Sequence, residues 1–215
     1  MGLKRISFPV LFLFVLMGCA GVQVQVHDNL GIPAGKITDN QFTGIRYPFR
    51  VSAPPNWKMA TEFPRFLEKL GYEGPSPYDK EVTELYIFNP STQSNIKIDF
   101  TPANPGVRFT QESIEALTTT VTERVKSDLD KEYGQGAINV EVGPTEPVSL
   151  KGVPFAAKKY VTYAIRGVRR EEGWIYAFTE PYQIFILYMI LEKVGANDRE
   201  DMKKILDSFE VISKK

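Results

Sequence analysis

One cysteine and one histidine, Cys19 and His27, are all that 215 residues contain of the two side chains that most often hold zinc. A disulfide within the chain is thereby excluded, and a zinc site, which draws on Cys and His, has nothing to be built from. Charge of one sign is missing as well, since 26 Lys and Arg stand against 26 Asp and Glu. That balance leaves no electrostatic footprint for nucleic acid or for a polybasic membrane patch. Long apolar runs are scarce: Ile6–Met17 carries no charge but is only 12 residues long and includes Pro9. As a helix it would cover roughly 18 Å against about 30 Å of hydrocarbon, so it is too short to span. Phosphate-binding loops and Gly-x-Ser-x-Gly elbows are also absent. Gly134 and Gly136 match the first glycines of a dinucleotide fingerprint but lie between a helix and a strand, the reverse of what pyrophosphate binding needs. These absences predict no metal, no cofactor, no nucleic-acid partner and no catalytic constellation.

What is present begins at the N-terminus. Lys4 and Arg5 precede the apolar run, and Gly18, Cys19 and Ala20 follow it at once, the order of a secretory signal. Leu16-Met17-Gly18-Cys19 resembles the lipobox of bacterial lipoproteins, an aliphatic residue and two short positions before a cysteine. The resemblance implies cleavage between Gly18 and Cys19, diacylglycerol on the thiol, and acylation of the new amine. Two acyl chains at about 0.8 kcal/mol per buried methylene suffice to hold a protein at a membrane. Ala20 is not the aspartate that in lipoprotein sorting signals inner-membrane retention, so the expected location is the periplasmic face of an outer membrane. Removing residues 1–18 removes Lys4 and Arg5 and no acid, leaving 24 basic against 26 acidic residues.

The rest of the chain reads as one domain. Residues 19–41 are expected to be a lipidated cysteine and a tether, with Val22–Val26 able to form a short strand, and residues 42–215 a single folded unit. Phe49, Val51 and Ala53 alternate before a Pro54-Pro55 turn and Trp57. Phe63–Leu70 predicts a short helix, and Glu84–Phe88 and Asn95–Thr101 predict strands joined by a polar turn. Thr110 caps a helix to about Glu132, with Ile114, Leu117, Val121, Val125 and Leu129 as its apolar stripe and Gly134 as its stop. Four strands are then expected: Ile138–Val142, Phe155–Ile165, Trp174–Thr179 and Tyr182–Leu191. Residues 166–173 form the turn between the second and third of these. The last strand is apolar on both faces, which predicts a central position with layers on each side. Asn197 caps a closing helix, with Glu200 in the capping-box position.

This layout is an α+β domain, and two stretches carry a resemblance to a known superfamily. Phe49-Arg-Val-Ser-Ala-Pro-Pro-Asn-Trp57 is one; the closing apolar strand with Asp201-Met-Lys-Lys-Ile-Leu-Asp-Ser-Phe-Glu-Val211 is the other. Both resemble the PsbP-like superfamily, which includes bacterial DcrB-type lipoproteins. The resemblance implies an α/β/α sandwich around a central, mainly antiparallel sheet, and says little about activity.

A few side chains could bear chemistry. Arg166, Arg169 and Arg170, with Glu171 and Glu172 beside them, make a solvated hairpin tip or a surface that docks an acidic partner or headgroups. His27-Asp28 could ligate a metal but reads better as a solvated pair. The acids of Asn197–Asp201 suit the first turn of a helix through its dipole. Trp174, Tyr176 and Phe178 share one strand face, and Tyr182 and Tyr188 share another, as core packing or as the wall of an apolar groove. The function expected is a lipid-anchored, non-catalytic binding or accessory domain of the cell envelope, with the membrane and an envelope protein as partners. The alternatives are a hydrolase using Glu84, Asp99 or Glu141 as acid and base, and a carrier of a small apolar ligand.

Overall fold

The computed structural model describes residues 31–70, 83–103, 106–193 and 196–212. Its centre is an eight-stranded antiparallel sheet. Its strands are β4 (Lys58–Ala60), β5 (Thr83–Phe88), β6 (Asn95–Pro102), β7 (Glu141–Val142), β8 (Glu146–Pro147), β9 (Phe155–Ile165), β10 (Val168–Thr179) and β11 (Tyr182–Leu191). Their spatial order is β4-β5-β6-β11-β10-β9-β7, with β8 also on the outer edge of β9. That edge is broken up by Pro144 and Pro147, which cannot donate to a further strand. A second, four-stranded sheet is ordered β1 (Gly35–Thr38), β2 (Gln41–Gly44), β3 (Phe49–Ser52), β12 (Glu210–Val211). Two helices, α1 (Gln111–Tyr133) and α2 (Asp198–Ser208), and a 3-10 turn at Arg65–Leu70 complete the described fold. No helix among the described residues is long and apolar enough to cross a membrane.

The doubly apolar strand β11 lies in the interior of the large sheet, between β6 and β10, as its composition requires. Ile184, Ile186, Tyr188 and Ile190 face the small sheet and α2, where they meet Phe42, Phe49, Val51, Met202, Ile205 and Phe209. Phe185 and Leu187 face the other way, with Trp174 and the α1 side chains. The result is the expected α/β/α arrangement, with the small sheet sharing one outer layer with α2.

Three readings are corrected by the structure. Residues 35–41, assigned to the tether, are ordered: β1 pairs β2 with Gly35 opposite Gly44, so the fold begins before Phe42. The Arg166–Gly173 turn is only Arg166-Gly167, both at positive φ (51° and 78°), the geometry of a two-residue hairpin. Charged residues 169–172 belong to β10: Arg169 pairs with β9, and 170–172 pair on both sides, for example Arg170 with Tyr163 and Leu191. Gly173 continues the strand because the Tyr188 ring covers it; a Cβ there would come 2.1 Å from that ring. Third, of the predicted α1 stripe only Leu117 faces out, 39% exposed; Ile114 and Leu129 are buried, Val121 and Val125 pack partly buried against the core, and Thr118 and Thr122 are buried as well. The Trp174 indole lies beneath the helix and donates from Nε1 to the Thr118 carbonyl at 2.6 Å, so only short side chains fit over it.

The caps divide. The Thr110 hydroxyl accepts from the Ser113 amide at 3.2 Å, and the Ser113 hydroxyl accepts from the Thr110 amide at 2.8 Å. Asn197 makes no side-chain cap bond. The start of α2 is held by tertiary contacts instead.

Candidate functional site

Cys19, the Gly18–Cys19 cleavage position, His27 and Asp28 lie outside the described residues. Of the three arginines, only Arg166 is at the hairpin tip. Arg169 is in β10, ion-paired with Glu141 (3.6 Å) and Glu192 (3.9 Å). Arg170 points to the opposite face, toward Glu172, and its Nε is buried without a partner. The tip therefore presents one guanidinium of the three expected.

The three carboxylates do not converge. Glu141 on β7 accepts from Thr162 at 3.0 Å, with four strands between it and β5, about 24 Å at normal strand spacing. Asp99 accepts from the Thr83 hydroxyl at 2.8 Å and pairs with Lys97 at 3.3 Å. Glu84 is fully buried and takes Arg46 Nη1 at 2.9 Å. Its other oxygen, Oε2, has no hydrogen-bond partner among the described residues. Burial pushes the Glu84 carboxyl up to about 7, against the opposing pull of Arg46.

The Glu84–Arg46 pair escaped the sequence reading for a reason. The register slips between Thr83 and Leu85, opposite Asp99 and Ile98. An extra residue in a strand breaks its two-residue alternation, and Glu84 therefore lies inward, in reach of a loop 38 residues earlier. Nothing local in the chain marks either partner.

The acids of α2 are also more than dipole decoration. Asp198 is buried and accepts from Asn89 Nδ2 at 2.8 Å and the Ser94 hydroxyl at 2.6 Å. Asp201 accepts from Trp57 Nε1 at 3.2 Å and Asn56 at 3.1 Å. Burial raises the Asp201 carboxyl, but these bonds and Lys204 outweigh it and hold the group below the usual carboxylate range. Both carboxylates weld α2 to turns of the large sheet. Glu171, also buried, links Tyr188 and Arg199 in the same manner.

Topology gathers a different set of residues at one end of the small sheet. Antiparallel register puts the start of β1, the end of β2, the start of β3 and the end of β12 side by side. Residues 31–34, the loop Ile45–Pro48 and Ile212 meet there. Ile45 and Arg46 amides bond the Ala34 carbonyl, Arg46 Nε bonds the Ile32 carbonyl at 3.0 Å, and the Ile212 amide bonds Pro48 at 2.7 Å. Arg46 and Tyr47 turn inward, Tyr47 stacking on Phe100, which leaves Ile45 outside. Ile45 is 58% exposed, Ile32 45% and Ile212 36%. Behind this end stands the buried Arg46–Glu84 pair, clamping the incoming chain to β5.

A shallow cleft of about 230 Å³ lies between residues 137–139 and the end of β9. Its polar lining, Glu141, Thr162 and Arg169, is mutually bonded. On the α1 side, Tyr176, Phe185 and Leu187 are half-buried, with Tyr176 and Phe185 rings 4.8 Å apart. Tyr182 packs in the opposite layer against Tyr47 and Phe100. Both aromatic sets sit on the faces that alternation assigns them. Among the described residues, no group of three His, Cys, Asp or Glu is placed to hold a metal ion.

No protein-family model and no curated protein matches the chain. Solved structures do. The fold is similar to that of cyanobacterial PsbP (CyanoP) from Synechocystis, at 12% identity and a TM-score of 0.50, covering 84% of this chain and 99% of that one. LpqN of Mycobacterium tuberculosis, titled as involved in cell envelope biogenesis, matches at 11% identity and TM-score 0.45, over 77% of this chain and 83% of its own. The Saccharomyces cerevisiae Ran-binding protein Mog1p matches at 10% identity and TM-score 0.43, over 76% and 90%. The fold of this chain is PsbP-like.

Proposed function

We propose that this protein is a cell-envelope lipoprotein, held to a membrane by lipid on Cys19, whose PsbP-like domain binds a partner and catalyses nothing. The observation that carries the reading is Leu16-Met17-Gly18-Cys19, directly after a basic pair and a 12-residue apolar run, with Cys19 the sole cysteine of the chain. A lone exported thiol is otherwise a hazard for unwanted pairing. The binding role is supported by the carboxylates: Glu84, Asp99 and Glu141 are each engaged by neighbours, and Glu141 is far from the other two. Ala20 favours the periplasmic face of an outer membrane, and an envelope protein is the partner this location offers.

Metabolic labelling with a palmitate analogue, followed by fractionation, tests the anchor. The native chain should carry label and sediment with membranes, and Cys19→Ser should do neither; a Cys19→Ser chain that still sediments as an integral lipoprotein would sink the reading. Density separation of inner and outer membranes tests the location, and cross-linking in intact cells tests for an envelope partner.

A further inference from the structure

We infer that the end of the small sheet bearing Ile32, Ile45 and Ile212 is a membrane-docking surface that seats on anionic lipid headgroups. The inference rests on the anchored reading above, and deepens it by orienting the domain.

Three observations lead to it. Eight large apolar side chains are strongly exposed among the described residues, and three of them are these isoleucines. They are spread over the β1, β2–β3 and β12 ends of one sheet, a width of about 14 Å at normal strand spacing. The others are scattered on α1, on the edge strands β1 and β7, on a loop and at the hairpin start of β10. A single exposed isoleucine needs no explanation; three at one end, with no polar residue taking their place, mark an interaction site.

Charge gives the second observation. Segments 31–34, 45–48 and 211–215 contain no acid, and Lys214 and Lys215 follow Ile212 after one intervening residue. The basic residue that could have crowded the surface, Arg46, is turned away onto Glu84. Apolar side chains on segments that carry lysine in sequence and no acid suit the boundary between headgroups and acyl chains.

The length of chain outside the fold supplies the third. Residue 31 emerges at this same end, only twelve residues after Cys19. Fully extended, twelve residues reach roughly 40 Å, about the diameter of a domain this size. With Cys19 in the bilayer, this end of the domain is the one that the connection holds nearest to lipid. A protein partner could use the same isoleucines, but it would have to compete with a surface already within reach.

The test uses the lipidated full chain in vesicles of phosphatidylethanolamine and phosphatidylglycerol. An environment-sensitive fluorophore is placed on Ile45→Cys and, in a second protein, on Leu117→Cys, an exposed position on α1. Lipids brominated along the acyl chain should quench the label at 45 at least threefold more than at 117, and replacing phosphatidylglycerol by phosphatidylcholine should reduce that quenching. Equal quenching at both positions overturns the proposal. A second arm uses Cys19→Ser, which cannot be lipidated. Its flotation with anionic vesicles should fall about tenfold when Ile32, Ile45 and Ile212 are all changed to Ser, with the unfolding midpoint measured alongside to keep folding out of the comparison. No difference in flotation between the folded proteins also overturns it. Failure of palmitate labelling of the native chain would remove the anchor alone, since flotation of the unlipidated protein reads the surface independently.

Discussion

Glu84 is where burial and charge oppose each other most directly. Its carboxyl is shut away from water, one oxygen on Arg46 and the other without a partner among the described residues. Burial raises the group to about 7 from a usual 4.5, so between those values the folded chain keeps a proton that the unfolded chain has lost. Stability must then fall as pH rises through that window, and the contribution is fully present only below it. Removing the titration with Glu84→Gln should let the variant gain on the wild type by about 2–3 kcal/mol between pH 5 and 7.5. Urea midpoints at several pH values measure this, and a difference that does not change with pH would mean that Glu84 is ionised throughout. Above about pH 7, where the carboxylate is ionised, Glu84→Leu should be worse than the wild type by about 3–5 kcal/mol, because it takes the counter-charge from Arg46. Glutamate in a strand looks like surface decoration when only its neighbours in the chain are considered. The bulge that turns it inward depends on where Asp99 and Ile98 pair, which is a property of two strands.

The helices show how local and tertiary forces divide at the level of elements. Thr110 does by itself what its position predicts, so Thr110→Ala should cost about 1 kcal/mol. Asn197 occupies the equivalent place before α2 but forms no cap bond, and Asn197→Ala should change stability by less than about 0.5 kcal/mol. The residue that matters there is its neighbour. Asp198→Ala removes two buried bonds, to Asn89 and Ser94, and should cost about 2–4 kcal/mol. Denaturation of the three variants, followed by the fluorescence of the buried Trp57 and Trp174, ranks them directly. The strands divide similarly. Phe155–Ile165 and Tyr182–Leu191 have the bounds that their composition predicts. The first half of β10 does not, because Arg169-Arg-Glu-Glu-Gly173 has no strand-like pattern and is drawn into the sheet by its two neighbours. Residues 138–140 err the other way: they read as strand, but pairing on this edge begins only at Glu141.

At the scale of the molecule, a large sheet is covered on one face by α1 and on the other by a small sheet with α2. The first strand of that small sheet comes from residues that resemble a tether, so the boundary of the domain is set earlier than composition suggests. A chain starting at Gly31 should fold. One starting at Phe42 loses β1 and both carbonyls that the Ile45–Arg46 loop binds, and should unfold at markedly lower urea concentration or fail to fold. The same geometry places the incoming chain, the last strand and three exposed isoleucines at one end, which is what gives the domain a direction relative to any anchor at Cys19.

The amino-acid order determined whatever depends on near neighbours along the chain. The Thr110 cap, the Gly134 stop, the alternation that separates Trp174, Tyr176 and Phe178 from Tyr188, and the central place of Tyr182–Leu191 are all of this kind, since each follows from periodicity or backbone preference within a few residues. The resemblance of Leu16-Met17-Gly18-Cys19 to a lipobox is local too, and needs no fold to be read. Tertiary structure decided the rest: that threonines and not Leu117 face the sheet, because Trp174 occupies the space beneath; that Asp198 and Asp201 are anchors; that Glu84 is buried on Arg46. It also decided that residues 14 apart, and others far beyond, share one sheet end. Each of these is settled by pairing between distant segments, whose energies appear only once the strands have found their register.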